Sequence, residues 1–501
     1  MKCFSNIQSA INKFIHNKKI NAIITTLLLF SFLYIAIVTV LGESFLHPLK
    51  HHYVNYPNEN WTVYSIFILF LLLCVGLVAV QLSQLLRIPM LFGCLVVGIV
   101  INNIEMLHDF FIIPTLLEVM IRKLALVNIV IRWGLATDAK FIYNNAIYPV
   151  SVGLISVIGE ILAVTLASYV ILKISFLISV FCALILVTVS PAVTVPAMIS
   201  FKERNIGMSK RIPEHILAIC CVDNLLCVIV FMVLSSLTFT DAPLGFTLYM
   251  NFGTIATGIF TGLFVGWLLW YFPRADVSHT QFTRISLLGL ISTCFLIGSY
   301  LVKFSCSGFL AALILSSTVA IKWKADDFEK FRNVELTYKY IWESFALPLL
   351  FICLGLKFDL STLSVKIVLL CLVVITIGLV VRTICILVVS IPSDLDMKEK
   401  LIVALSLLPR ATFQADLAPT LVLLTASYPE YYDDSVLVLK AAIISVLVTA
   451  PVFDVLLNIL GPKFLKKENV STAKEDVERI LMINKSFEKK QSTSKYTTSA
   501  H

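Results

Sequence analysis

Residues 176–199 read FLISVFCALILVTVSPAVTVPAMI, an apolar run that is long enough to cross a bilayer and contains Pro191 and Pro196. Proline lacks a backbone N–H and clashes with the preceding helical turn, so it frees carbonyl groups at a depth where no water can satisfy them. Irregular backbone at membrane depth is tolerated only where it is buried in protein or lines a cavity. The run therefore predicts an interrupted transmembrane helix.

A second run has the same kind of interruption. Residues 408–416 read LPRATFQAD, and Pro419 follows. Aligning Pro191 with Pro409 superimposes Thr194 on Thr412. The two runs are an odd number of predicted spans apart, so equivalent positions would have opposite orientations in the membrane. Paired interruptions in opposite orientations favour an inverted repeat with a binding site near the bilayer midplane.

The rest of the chain is equally apolar. It has 501 residues, 58% hydrophobic and only 14% charged, whereas about 25% charged is usual for a globular protein. This composition excludes a soluble enzyme, a nucleic-acid-binding protein and a secreted disulfide scaffold. The apolar runs predict an all-α polytopic membrane protein with about fourteen spans. They lie near 20–41, 61–82, 89–103, 116–136, 147–172, 176–199, 213–239, 250–272, 283–302, 305–321, 338–357, 364–390, 399–425 and 435–460.

Basic residues give the orientation. Lys and Arg are concentrated in alternate loops and in both terminal segments, which predicts cytoplasmic termini. We expect a cytoplasmic N-terminal segment at 1–19, a transmembrane domain at 20–461 and a cytoplasmic polar tail at 462–501. The expected location is the cell membrane, with lipid as the surrounding partner.

Charges inside the spans are few, and each is a functional hypothesis because burying a charge in lipid is costly. Arg122 and Lys123 lie near the start of their span, and we expect them to extend towards the membrane surface. The deeper charges are Arg132, Glu160, Asp223, Arg382, Arg410 and Asp416.

Four stretches together resemble NHA-type sodium/proton antiporters of the cation/proton antiporter superfamily. They are residues 88–93 (IPMLFG), 132–140 (RWGLATDAK), 189–196 (VSPAVTVP) and 408–414 (LPRATFQ). The resemblance covers about residues 61–460. It implies a homodimer in which each protomer has a dimerisation domain and a core domain that moves like an elevator. It also implies two broken helices that cross beside the ion-binding aspartates.

The resemblance assigns roles to single residues. Glu160 and Arg382 match an acid and a base that form an intramembrane ion pair. An arginine cannot deprotonate, so Arg382 favours electroneutral exchange. Thr194 and Arg410 fall in the crossing segments, where a hydroxyl and a cation can offset freed carbonyls. Asp416 departs from the family pattern; we expect it to pair with Arg410, although it could also act as a relocated carboxylate.

The central motif also departs from the family. Such antiporters have two adjacent aspartates, whereas this chain has Asp223 followed by Asn224. In the first interpretation, Asp223 alone titrates and Asn224 is a neutral ligand, which gives one-for-one exchange of Na⁺ or Li⁺ for H⁺. The second is proton-coupled transport of chloride or another anion, and the third is a transport-inactive paralogue with a structural or regulatory role.

Other chemistry has no support in the sequence. It has no phosphate-binding loop, no pair of histidine ligands at helical spacing and no nucleophile elbow. We therefore expect no catalytic activity, no cofactor, no bound metal other than the transported ion, and no nucleic-acid partner.

Overall fold

The computed structural model describes residues 60–467, apart from 87, 112, 241, 275–278, 303 and 304, together with six single residues between 21 and 36. The predicted segment 1–19, most of the first predicted span and residues 468–501 of the predicted tail lie outside the described residues. The predicted boundaries of the terminal segments therefore stay predictions.

The described residues form eighteen α-helices. They are α1 Asn60–Leu85, α2 Met90–Asn103, α3 Glu105–Phe110, α4 Thr115–Ala136, α5 Ala139–Asn144, α6 Ile147–Ala167, α7 Phe176–Val187, α8 Pro191–Glu203, α9 Ile212–Thr238, α10 Leu244–Tyr271, α11 Thr280–Leu301, α12 Ser305–Asp326, α13 Phe328–Ile341, α14 Leu347–Gly355, α15 Val365–Val389, α16 Met397–Ser406, α17 Thr412–Thr425 and α18 Pro429–Phe464. The predicted all-helical class is confirmed. In the part of the chain that the structure describes, one β-type contact occurs, an isolated bridge between Ile206 and Lys467.

Eight helical stretches among the described residues are long and apolar enough to cross a membrane. Two shorter apolar stretches, Leu71–Leu85 and Met90–Asn103, accompany them. Other predicted spans fall short for identifiable reasons: α4 contains several charges, and the run at 399–425 is divided into the short helices α16 and α17. The multi-pass architecture is therefore established, whereas the count of fourteen spans stays a prediction.

Both proline-containing runs are interrupted where the sequence predicts. Helix α7 ends at Val187 and α8 begins at Pro191, whereas Pro196 lies inside α8. In the second run, α16 ends at Ser406 and α17 begins at Thr412. Proline suits the first position of a helix because its missing N–H would have no partner there, which explains why the first break precedes Pro191.

The two interruptions are in direct contact. The Ser190 backbone N–H donates to the Pro409 carbonyl at 2.8 Å, and the Thr194 hydroxyl donates to the Ser406 carbonyl at 2.9 Å. The Gln414 amide nitrogen donates to the carbonyls of Ile185 and Thr188, both at 2.9 Å. Each break thus satisfies polar backbone groups that the other leaves free, as buried irregular backbone requires.

Three continuous helices surround this contact, and small residues let them approach closely. Helix α6 packs against α9 and α15. A Cβ at Gly378 of α15 would lie 2.7 Å from a Val164 methyl and 3.2 Å from the Glu160 carboxylate, and one at Gly153 of α6 would lie 2.9 Å from Val222. A larger residue at either position would separate the helices that carry the buried charges.

Candidate functional site

The central cluster consists of two carboxylates and two guanidinium groups from four different segments. Each of these four residues is at most 2% exposed. Helix α6 supplies the first member, α9 the second, α15 the third and the interruption before α17 the fourth; they are Glu160, Asp223, Arg382 and Arg410. With both acids ionised, the charges sum to zero, as a stable buried group of charges requires.

Glu160 is shared by the two arginines. Arg382 Nη1 donates to Glu160 Oε2 at 2.7 Å, and Arg410 Nη2 donates to Glu160 Oε1 at 2.6 Å. The ion pair between Glu160 and Arg382 that the resemblance implies is therefore present, and Arg410 extends it. Nothing in the sequence indicates that one carboxylate holds two cations.

Arg382 also reaches α9. Its Nη2 donates to Asp223 Oδ2, so the single guanidinium bridges the carboxylates of α6 and α9. Because the two contacts use different nitrogens, Arg382 can keep Glu160 as a partner while Asp223 is occupied by something else. The bridge therefore leaves one acid of the cluster free to change its partner.

Arg410 contributes a second contact at the end of α7. Its Nη1 donates to the Val187 carbonyl, and Arg382 Nη1 approaches the same oxygen at 3.4 Å. The last carbonyls of a helix have no partner within it and carry the negative end of the helix dipole. Arg410 thus contacts a carbonyl at a helix end, and its compensating role stays a prediction.

Acceptor oxygens remain at the centre of α9. Asp223 Oδ1 receives only the weak Cys227 thiol donor, at a sulfur-to-oxygen distance of 3.8 Å. Asn224 Oδ1 is buried without a partner among the described residues, and its amide nitrogen is 3.4 Å from Cys220 Sγ. A buried oxygen without a donor is costly unless something else satisfies it, and a cation can do so.

The predicted pairing of Asp416 with Arg410 is wrong. Lys123 Nζ lies 3.0 and 2.8 Å from the two oxygens of Asp416, and Arg122 Nη1 donates to the Asp416 backbone carbonyl at 2.8 Å. Asp416 lies one turn into α17, so its side chain points at α4, whereas Arg410 precedes the helix and reaches Glu160.

The expectation that Arg122 and Lys123 extend to the surface is also wrong. They are 1% and 4% exposed, because α17 presents an acceptor to each of them inside the protein. Glu118 lies one turn before Arg122 on α4, with its carboxylate 3.4 Å from Arg122 Nε and 2.7 Å from Lys357 Nζ. An acid and a base four residues apart on one helix face were a readable signal for the first of these contacts.

The outer cluster is defined as these five charges: Glu118, Arg122, Lys123, Lys357 and Asp416. It contains three cations and two carboxylates. A cavity of about 270 Å³ adjoins it, with Glu118 and Lys357 in the wall beside Asn102 and His108. Arg132, another predicted intramembrane charge, is 6% exposed, and its Nη1 has no partner within the described part of the chain.

Thr194 and Asp416 do not touch the carboxylates of the central cluster. The Thr194 hydroxyl is committed to the Ser406 carbonyl as a donor, which leaves its oxygen as an acceptor. Among the described residues, no group of three or more His, Cys, Asp or Glu side chains is placed to hold a metal ion. The central cluster is therefore the candidate functional site.

The sequence and the fold both have known counterparts. The family described as "Sodium/hydrogen exchanger, transmembrane" matches residues 66–460. Sodium/hydrogen exchanger 9B1 of Homo sapiens is 27% identical over 411 residues, covering 80% of this chain and 79% of that protein. Sodium/hydrogen exchanger 9B2 of Xenopus tropicalis is 28% identical over 405 residues, covering 79% and 74%.

The fold is similar to that of the sodium proton antiporter MjNhaP1 from Methanocaldococcus jannaschii at pH 8. The TM-score is 0.64 at 16% identity, and the match covers 80% of this chain and 99% of that one. A second structure of the same antiporter gives a TM-score of 0.62 at 17% identity, with 81% and 99% coverage. Because the family match extends over most of its length, this chain belongs to the transmembrane sodium/hydrogen exchanger family.

Proposed function

We propose that this protein is a secondary active antiporter that exchanges Na⁺ or Li⁺ for H⁺ across a membrane. The observation that carries the proposal is on α9, where the buried carboxylate of Asp223 lies next to the Asn224 amide oxygen, which has no hydrogen-bond partner in the described part of the chain. Carboxylate and amide oxygens are suitable ligands for a hard cation. Membership of the exchanger family supports the same ion class.

In the proposed cycle Asp223 carries either a proton or the metal cation. When the cation arrives, the O–H bond of the protonated carboxyl breaks, the proton leaves to water, and the cation takes its place at the oxygen. The Arg382 contact to Asp223 opens during these steps, while the contact to Glu160 is kept. Asn224 contributes its carbonyl oxygen to the bound cation and gains no charge.

One-for-one stoichiometry follows from the arginines of the central cluster. A guanidinium keeps its proton at any physiological pH, so neither Arg382 nor Arg410 can release a second proton in the cycle. We therefore propose electroneutral exchange. Arg382→Lys supplies a cation that can release a proton, and we expect exchange in this variant to respond to an imposed voltage while the unmodified protein does not respond.

The proposed transport movement is of the elevator type. The domain at 20–461 would comprise a dimerisation part and a moving core, with fourteen spans and both termini cytoplasmic, in a lipid-embedded homodimer at the cell membrane. The two interruptions would be the crossed, broken helices of an inverted repeat. Their direct contact through Ser190 and Pro409 supports this arrangement.

Anion transport and loss of transport are the competing functions. The excess cation of the outer cluster favours the former, and the balanced charge of the central cluster favours the latter. Purified protein reconstituted into vesicles with an imposed pH gradient separates the three, because added Na⁺, Li⁺, K⁺ or Cl⁻ can be tested one at a time with a pH-sensitive dye.

We expect Na⁺ and Li⁺ to dissipate the gradient and chloride with an impermeant cation to have no effect. A response to chloride alone would replace the proposal with proton-coupled anion transport. If no ion gives a response, and a thermal unfolding transition shows that the protein is folded, the remaining interpretation is a transport-inactive protein with a structural or regulatory role. Asp454→Asn, on the distant part of α18, is a matched variant that should retain full exchange.

A further inference from the structure

The end of the described chain is bound to the loop that joins α8 and α9. The Gly207 backbone N–H donates to the Lys466 carbonyl at 2.9 Å, and Ile206 forms an antiparallel bridge with Lys467. Helix α8 carries Thr194 and α9 carries Asp223 and Asn224. Residues 465–467 therefore hold the connection between α8 and α9, the helix that carries Asp223 of the central cluster.

Buried apolar contacts fix this attachment. Leu465 is 3% exposed and contacts the loop beside Gly207, while Ile206 is 4% exposed. Gly207 has a φ of 69°, a left-handed conformation that a glycine adopts without strain. One turn earlier in α18, Gly461 packs directly on the Phe201 ring of α8. We call residues 201–211 and 461–467 together the clasp.

The clasp brings together two basic stretches that are about 250 residues apart in sequence. Three of its cations have carboxylate partners: Lys202 with Glu214, Lys210 with Glu399, and Arg211 with Asp138. The other four are exposed and have no carboxylate within ion-pair distance among the described residues. They are Arg204, Lys463, Lys466 and Lys467.

The position of these four cations suits the membrane surface. Helix α18 has 36 residues and is therefore about 54 Å long, whereas the hydrocarbon core is about 30 Å thick. The helix is therefore longer than the hydrocarbon is thick, and we place its charged last turn, with Lys463 and the following lysines, at the membrane surface. Basic clusters directly next to a membrane-spanning helix attract the anionic lipids of the cytoplasmic leaflet, the side proposed above for both termini.

We propose that the clasp is a binding surface for the headgroup of an anionic phospholipid. The headgroup phosphate or carboxylate would accept hydrogen bonds from the four free cations and bridge the α8–α9 loop to the end of α18. Binding would stabilise the clasp and with it the relative position of α8 and α9. The positive-inside tendency explains why these segments are basic, but it does not require the two segments to be joined with their charges unpaired.

The test uses the full chain in nanodiscs of phosphatidylcholine with increasing fractions of phosphatidylserine, followed by thermal unfolding. We expect phosphatidylserine to raise the melting temperature of the unmodified protein. The double variant Lys466→Gln, Lys467→Gln removes two of the four cations. The dependence of the melting temperature on the phosphatidylserine fraction gives an apparent affinity. We expect this affinity to be about thirtyfold weaker in the double variant, since each basic residue near the surface contributes about 1 kcal/mol.

Two controls keep the result decisive. Lys366→Gln with Lys398→Gln removes the same charge from exposed positions outside the clasp and should leave the response unchanged. Lys466→Arg with Lys467→Arg keeps the charge and should retain the response, which separates lost charge from lost folding. The readout is a melting temperature, so it does not depend on which ion the protein carries.

Equal responses to phosphatidylserine in the Lys466→Gln, Lys467→Gln variant and in the Lys366→Gln, Lys398→Gln control would overturn the proposal. The cations of the clasp would then serve only to orient the chain in the membrane. A response to soluble inorganic phosphate as large as that to phosphatidylserine would overturn the lipid as the occupant. Loss of the phosphatidylserine response at high salt in the unmodified protein would support the proposed headgroup binding, because salt screens exposed charges.

Discussion

The central and outer clusters are both groups of acids and bases between helices, but the central cluster is buried throughout, whereas the Lys357 side chain of the outer cluster is 40% exposed. The central cluster balances two carboxylates with two arginines, and each of its members is at most 2% exposed. The outer cluster has an excess cation, contains lysines as well as an arginine, and adjoins a cavity. In the proposed cycle the central cluster therefore combines fixed charge with one exchanging acid, whereas we expect the outer cluster to take up water when a pair is broken.

The clusters also join different helices. The central cluster connects α6, α9 and α15 to the interruption before α17. The outer cluster connects α17 to α4 and α4 to the end of α14. Helix α17 is thus held between the two, and a movement of α17 relative to α4 would have to break the Lys123 contact to Asp416.

Removal of Glu160 should have the largest effect on stability. Glu160→Gln leaves two buried guanidinium groups with one remaining carboxylate, and removal of one partner from a buried ion pair costs about 3–5 kcal/mol. We expect a marked fall in the melting temperature measured in detergent. Glu118→Gln in the outer cluster is the matched control, and an equal fall in both variants would show that access to the cavity makes no difference.

A double-mutant cycle refines this prediction. Glu160→Gln combined with Arg410→Gln removes one charge of each sign, so the combined loss should be smaller than the sum of the single losses by about 0.5–3 kcal/mol. Additive losses would mean that the two side chains do not interact. A charge reversal of Glu160 and Arg382 is a poor test, since an arginine at position 160 would lie against Arg410.

The interruptions and one ion pair could be predicted from the sequence, whereas the contacts of the outer cluster could not. The interruptions at Pro191 and near Pro409 follow from proline chemistry, and the Glu160 to Arg382 pair follows from the resemblance. The Lys123 contact to Asp416 cannot be predicted in this way, because α4 and α17 are far apart in sequence and their relative rotation depends on packing. Helices that are apolar all round give no periodic signal for the face that meets a neighbour.

Asp416→Asn should have an intermediate effect. It leaves Lys123 without a carboxylate but close to the other charges of the outer cluster, and loss of a hydrogen bond to a charged group costs about 1.5–3 kcal/mol. We expect a moderate fall in melting temperature. A fall in melting temperature as large as that of Glu160→Gln would mean that the outer cluster is as inaccessible to water as the central cluster.

Asp138→Asn, at a partly exposed ion pair with Arg211, should have the smallest effect. Burial raises the pKa of the Asp138 carboxyl, but the Phe141 backbone N–H and the Arg211 guanidinium more than offset it, so the pKa lies below its usual value. The contribution to stability is therefore present above the unfolded pKa and is lost as the pH falls through the folded one.

For an exposed pair of this kind the loss at neutral pH should be no more than about 1 kcal/mol. The difference between the variant and the unmodified protein should shrink as the buffer is acidified, which melting curves across an acidic pH series measure. A difference that grows on acidification would show that Asp138 acts by another route.

The most direct test compares the two clusters in transport. Sodium-dependent proton flux is measured in vesicles that contain the unmodified protein, Asp223→Asn or Asp416→Asn at matched amounts of folded protein. We expect Asp223→Asn to abolish the flux and Asp416→Asn to retain it. Normal flux in Asp223→Asn, with flux lost in Asp416→Asn, would instead assign the exchanging carboxylate to the outer cluster.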